Sequence, residues 1–148
     1  MKIASLAGKI QFYNEDVSFV LPYKSKVRTW IAEIIYENGH KIKELNYIFV
    51  SDDYLLALNK EMLNHDYYTD IITIPYHDEG AQALHSDIYI SLERVLDNAQ
   101  TLGVSASDEL HRVMIHGVLH LLGHKDETEE DKQKMREAEN KALERIVF

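Results

Sequence analysis

The 148-residue sequence contains no cysteine. Disulfides and thiolate ligands are therefore excluded, and any bound metal must be held by His, Asp or Glu. With two prolines and six glycines, nothing reads as a linker, a repeat or a low-complexity segment. No apolar stretch approaches the roughly 20 residues of a membrane span. The opening stretch from Met1 to Ile10 lacks an apolar segment long enough for a secretory signal. A cytoplasmic protein with no membrane partner is the expectation. Positive charge is also scarce. Sixteen Lys and Arg against 25 Asp and Glu leave a formal net charge of −9. That balance argues against a general nucleic-acid binder, because phosphate contacts need Lys and Arg. Lys24, Lys26 and Arg28 form one local basic cluster and Lys41 with Lys43 another, each most simply read as solvated charge at the start of a helix or strand.

What remains is an ordinary globular composition, 45% hydrophobic and 28% charged, and one domain over residues 1–148. Gly8 to Tyr13 reads as a first strand. Val27, Trp30, Ile31, Ile34 and Ile35 recur at one-face helical spacing and predict a helix over 22–38, stopped at Gly39. Leu45 to Val50 is a compact apolar run suited to a buried strand. Ser51 and the two aspartates after it can cap a helix running to about Leu63. Thr69 to Tyr76 predicts a third strand, His77 to His85 an exposed loop, and Asp87 to Leu92 a fourth strand. A helix then ends at Gly103. The next is capped at Ser105 or Ser107 and stops at Gly123, and a last one begins near Thr128 with Met135, Ala138, Ala142 and Ile146 on one side. The order predicts an α+β domain: a small mixed four-stranded sheet packed against a helical layer.

His116 and His120 lie four residues apart on a predicted helix. That spacing stacks both imidazoles on one face about 6 Å apart, a distance one metal can bridge. By itself the pair is a weak signal, and two helix histidines satisfied by solvent or backbone are its bland reading. Gly123 strengthens it by letting the chain leave the helix through a left-handed turn and offer a third ligand from the loop. Asp126 stands ten positions after His116, where metzincin proteases place their third histidine. His124 competes for that place. On an unbroken helix it would sit about 80° around from His116, and the break at Gly123 favours Asp126. Two His and one carboxylate leave an open position for water on zinc, the pattern of a catalytic site. Zinc peptidases of the H-E-x-x-H type carry a Glu after the first histidine as general base. Here that position is Gly117, which speaks against a peptidase.

The run His116-Gly-Val-Leu-His-Leu-Leu-Gly123 resembles the signature of the YbeY family of bacterial metallo-endoribonucleases, which process ribosomal RNA. Leu58-Asn59 with Thr69-Asp-Ile-Ile-Thr-Ile-Pro75, the stretch Asp87 to Arg94 with Asn98-Ala99, and Glu109-Leu110 are similar to further family segments. The likeness spans about residues 45 to 126. It implies a zinc-dependent endoribonuclease, one ion per chain, that cleaves single-stranded ribosomal RNA at the small ribosomal subunit in 16S maturation and quality control. Metal-activated water would hydrolyse the phosphodiester, and no side chain is identified as general base. A peptide-cleaving metal hydrolase and a non-enzymatic ribosome-assembly factor with a structural metal are the alternatives. Two departures stand out. The family signature ends G-Y-D-H, so Asp126 takes the place of a third metal-binding histidine and His124 that of the tyrosine. Leu63 replaces an arginine suited to phosphate, with Lys60, Lys24, Lys26 or Arg28 as possible substitutes. Asp70 and Asp87 read as turn caps, and Glu109 as a carboxylate favoured by a helix start. His40, His65, His77 and His85 are expected to face solvent, and His111 to lie off the site.

Overall fold

Alternation along the strands sends side chains to two faces, and both faces are covered over part of their length. A computed structural model of the chain describes residues 2–148. Met1, the first residue of the expected domain, lies outside them. The strands are β1 (Ile10–Asn14), β2 (Lys41–Val50), β3 (Ile71–Pro75) and β4 (Ala83–Ser91). They form one sheet in the order β1-β2-β4-β3. β1, β2 and β4 are parallel, and β3 pairs antiparallel with β4 at the edge. Parallel neighbours need crossover connections, and these contain α2 (Lys24–Glu37) and α3 (Asp52–Leu63). The remaining helices are α1 (Lys2–Ala7), α4 (Leu92–Leu102), α5 (Ala106–Leu121) and α6 (Glu129–Glu144). This is the α+β architecture with a small mixed sheet and a helical layer that the pattern of elements predicts.

Leu45, Tyr47 and Phe49 of β2 and Leu84, Ile88 and Ile90 of β4 pack into the main core with Ile31 and Ile35 of α2 and Met114 and Val118 of α5. On the opposite face Ile48, Val50 and Ile72 are covered by Leu55 of α3. Burial on both sides explains why residues 47–50 read as a continuous apolar run. α5 is the central helix, packed on β3 and β4 and flanked by α2, α4 and α6. Its contact with the sheet is close at Gly117, where a Cβ would lie 2.8 Å from Ile71 Cδ1 and 3.4 Å from Ile88 and Thr73 methyls. Trp30 Nε1 donates to the Ala142 carbonyl at 2.8 Å, joining α2 to α6.

The structure departs from the sequence expectation in four places. α1 is too short to show a helical period, but it buries Leu6 and Ala7. β2 begins at Lys41, not Leu45, because Ile42 turns inward and the ladder to β4 continues past a bulge between Ile42 and Glu44. β4 consequently begins at Ala83, which shortens the loop expected over 77–85. α6 ends at Glu144, and Ile146 packs on the core from beyond it.

Candidate active site

α5 opens as the sequence predicts, with Ser105 Oγ accepting the Asp108 N–H at 3.0 Å. Its closing geometry decides where the third candidate ligand goes. Gly123 has φ +106°, Gly123 N–H donates to His120 O at 3.1 Å, and His124 N–H donates to Leu119 O at 3.0 Å. These are the paired hydrogen bonds of a Schellman turn, which needs a left-handed residue at the glycine position. Beyond the turn the chain doubles back, and Asp126 returns to the wall of α5 that carries His116 and His120. His124 does not line that wall with His116; it lies beside Leu119 in one hollow and shares another with His120, Leu122 and Pro75.

His116, His120 and Asp126 all line one cleft of about 760 Å3. Its other walls are Asp70 to Thr73 at the start of β3, Leu63 at the end of α3, and the loop after it. His116 is half-buried, and its Nδ1 lies 2.7 Å from Glu139 Oε2 on α6. A carboxylate only accepts, so Nδ1 carries a proton and Nε2 is the nitrogen that faces the cleft. That Nε2 points toward Asp126 Oδ2 at 3.9 Å. Two tetrahedral zinc ligands stand about 3.3 Å apart, so the spacing is slightly open for a shared ion. His120 is exposed on the same wall. Among the described residues no three His, Asp or Glu side chains already converge on one point. A carboxylate–imidazole pair with the far nitrogen presented to a cleft is the arrangement that orients a histidine toward a metal, and the donor set of two imidazoles and a carboxylate suits zinc.

Glu139 is buried, with a side chain 8% exposed, and is held from two sides: Arg112 Nη1 donates to Oε1 at 2.8 Å while His116 holds Oε2. Burial pushes its carboxyl up, but the hydrogen bonds from His116 and Arg112 together outweigh burial and hold it below the usual value. The same Glu139 hydrogen bond raises the His116 imidazole against the opposite pull of burial. Asp70 is half-buried in the cleft, accepts from Asn98 Nδ2 at 3.3 Å, and is pushed up by burial against the pull of His116. It is more than the turn cap its sequence position suggests. Glu109 stands in the first turn of α5 as read from the sequence, but it is buried there, and burial followed by the Asp70 charge raises it.

Sequence reasoning missed Glu139. A signal was present: Glu139 stands four residues after Met135 and three before Ala142, within the buried stripe of α6. An acidic residue inside an apolar stripe needs a partner, and here the partners are His116 and Arg112. His111 lies off the site as expected, edge-on between Trp30 and Phe148. His77 and His85 do not simply face solvent. His85 N–H donates to His77 Nδ1 at 2.9 Å, and both are half-buried. None of Lys24, Lys26, Arg28 or Lys60 lines the cleft, where Lys125 is the cation among the described residues. Lys60 pairs with Asp66 at 3.3 Å, and Arg28 donates to the Ile10 carbonyl at 2.8 Å.

Comparison with known proteins gives a consistent picture. The sequence model of the family described as Endoribonuclease YbeY matches residues 9–147. The Endoribonuclease YbeY of Cytophaga hutchinsonii is 47% identical over 134 residues, 90% of this chain and 93% of its own length. That of Porphyromonas gingivalis is 47% identical over 136 residues, covering 92% and 89%. Among solved structures, the solution structure of a Thermotoga maritima protein superposes with a TM-score of 0.64 at 27% identity, over 91% of this chain and 87% of that one.

Proposed function

The chain belongs to the YbeY endoribonuclease family, and from that premise we propose that it is a metal-dependent endoribonuclease acting on single-stranded RNA. The 16S ribosomal RNA of the small ribosomal subunit, during its maturation and quality control in the cytoplasm, is the substrate this reading assigns. One observation carries it: His116, locked by Glu139, turns Nε2 into an open cleft where His120 and Asp126 also lie.

His116, His120 and Asp126 are the residues that would hold one zinc ion, whose contribution when bound is to polarise a phosphodiester oxygen and lower the pKa of water. The protein's own residues bind, orient and shape. Glu139 keeps the proton of His116 on Nδ1, so that Nε2 is the free donor. Asp126 would supply an anionic ligand where other members of the family place an imidazole, which would lower the net charge of the loaded site. Gly117 cannot be exchanged for the base of an H-E-x-x-H peptidase, because its Cα faces Ile71 and Ile88 across the helix–sheet contact. A glutamate there would sit in the sheet rather than beside the reacting group, which disfavours the peptide-cleaving alternative. An open cleft beside the ligands disfavours a purely structural metal.

The test is cleavage of an unpaired ribosomal RNA fragment by the purified chain. Activity should vanish with a chelator, return with zinc, and leave casein untouched. Asp126→Ala should lose both activity and stoichiometric metal, while His124→Tyr keeps both. RNA cleavage that survives exhaustive chelation, or zinc retained in full by the His116→Ala/His120→Ala double variant, would overturn the reading.

A further inference from the structure

The cleft offers little of the positive charge by which nucleases usually hold a strand. Leu63 stands where the family has an arginine, Lys60 is tied to Asp66, and among the described lining residues Lys125 is the one cation against Asp70, Asp126 and Glu127. Phosphate contacts alone would hold RNA poorly here. The loop after α3 offers something else. Tyr67 is 55% exposed yet fixed in orientation. Its ring stacks on His65 with centroids 5.1 Å apart and planes 21° from parallel, and its hydroxyl is hydrogen-bonded to His65 Nδ1 at 2.9 Å. Both residues line the cleft with His116 and Asp126.

The loop itself is anchored. Asn59, 1% exposed, donates from Nδ2 to the Tyr67 carbonyl at 3.0 Å, and its own carbonyl accepts the His65 N–H at 3.1 Å. Asn64 takes the left-handed conformation that turns the chain between them. The adjacent Tyr68 is already engaged, with its hydroxyl donating to Asp53 at 3.2 Å and Arg94 over its ring, and it does not line the cleft. Tyr67 thus keeps an exposed aromatic surface on an anchored loop, beside the candidate metal ligands.

We propose that the stacked His65–Tyr67 pair is a base-binding subsite, on which an unpaired RNA nucleotide flanking the scissile bond stacks. The proposal rests on the RNA reading of the same cleft. Stacking suits this protein because it needs no positive charge, is open only to unpaired bases and tolerates every base. It makes up for the missing arginine by gripping the base instead of the phosphate.

The experiment is fluorescence anisotropy of the full-length chain as purified, with a cleavage-resistant single-stranded oligonucleotide (2′-O-methyl, phosphorothioate-linked). Tyr67→Ala should weaken binding by about 5- to 150-fold, with the dependence on salt unchanged, because no phosphate contact is lost. Tyr67→Phe, which keeps the ring, should bind nearly as the wild type. Tyr67→Trp should bind as well and show indole emission quenched by the oligonucleotide, against a background from Trp30, which is buried. Equal affinity of Tyr67→Ala and wild type, or a shallower salt dependence in Tyr67→Ala, overturns the stacking subsite while leaving the RNA reading in place. A wild-type chain that binds no oligonucleotide at any salt concentration overturns both.

Discussion

Glu139 hydrogen-bonds two neighbours at once, and the energetics of that position are unlike those of a surface ion pair. A carboxylate buried among Met135, Ala142 and α5 is tolerable only while both oxygens are satisfied. Arg112 takes one and His116 the other. Glu139→Gln preserves the shape but removes the anion that favours a proton on Nδ1 of His116. The expected outcome is a 10- to 100-fold loss of zinc affinity, on the order found when outer carboxylates of metal histidines are removed. Competition with a chromophoric chelator measures it, and the Nδ1–H resonance of His116 reports the tautomer independently of activity. Unchanged affinity with an unchanged resonance would mean that Glu139 only fills space. Gln retains the volume, so a loss of affinity cannot be blamed on a cavity.

At the scale of elements, the end of α5 does what its sequence announces, and the consequence is positional. A residue in the left-handed region costs about 1–2 kcal/mol when it carries a Cβ. Nothing lies within 4 Å of where the Cβ of residue 123 would be, so the strain of Gly123→Ala is purely torsional. That variant should lose about 1–2 kcal/mol in urea unfolding and also bind zinc more weakly, since Asp126 depends on the turn to reach His116. Full zinc affinity alongside the stability loss would show that Asp126 finds the site without the turn. The other glycine of α5 acts through contact instead. At Gly117 the backbone has ordinary helical geometry, and the constraint is the close approach of Ile71 and Ile88.

Across the whole molecule, the candidate ligands lie on the C-terminal half of α5 and on the segment leading into α6, and α6 is bound in turn to α2 through Trp30. Zinc that binds only the folded chain stabilises it by mass action, about 2.7 kcal/mol at a hundredfold excess over the dissociation constant. For a chain of this length that is an upward shift of roughly 5–10 °C in the melting midpoint. Differential scanning fluorimetry with zinc and with chelator measures it. The same shift in the His116→Ala/His120→Ala double variant would place the ion elsewhere. Among the described residues no helix is long and apolar enough to cross a membrane.

Local rules carried far in this chain. The helical spacing of apolar residues, the serine and threonine caps at Ser51, Ser105 and Thr128, and the glycine stops at 103 and 123 are properties of a few neighbouring residues, so the sequence alone determined the helices they bound. The spacing of His116, His120 and Gly123 is likewise local, because one helix and one turn set it. Tertiary structure decided what depends on residues far apart. Lys41 to Glu44 became strand only because Ala83 to His85 offered partners. Glu139 became the partner of His116 only because α6 packs against α5, across a separation no periodicity records. Tyr67 was one exposed tyrosine among several until buried Asn59 held its loop against the cleft. Burial and long-range hydrogen bonding, which act through space, set these three outcomes.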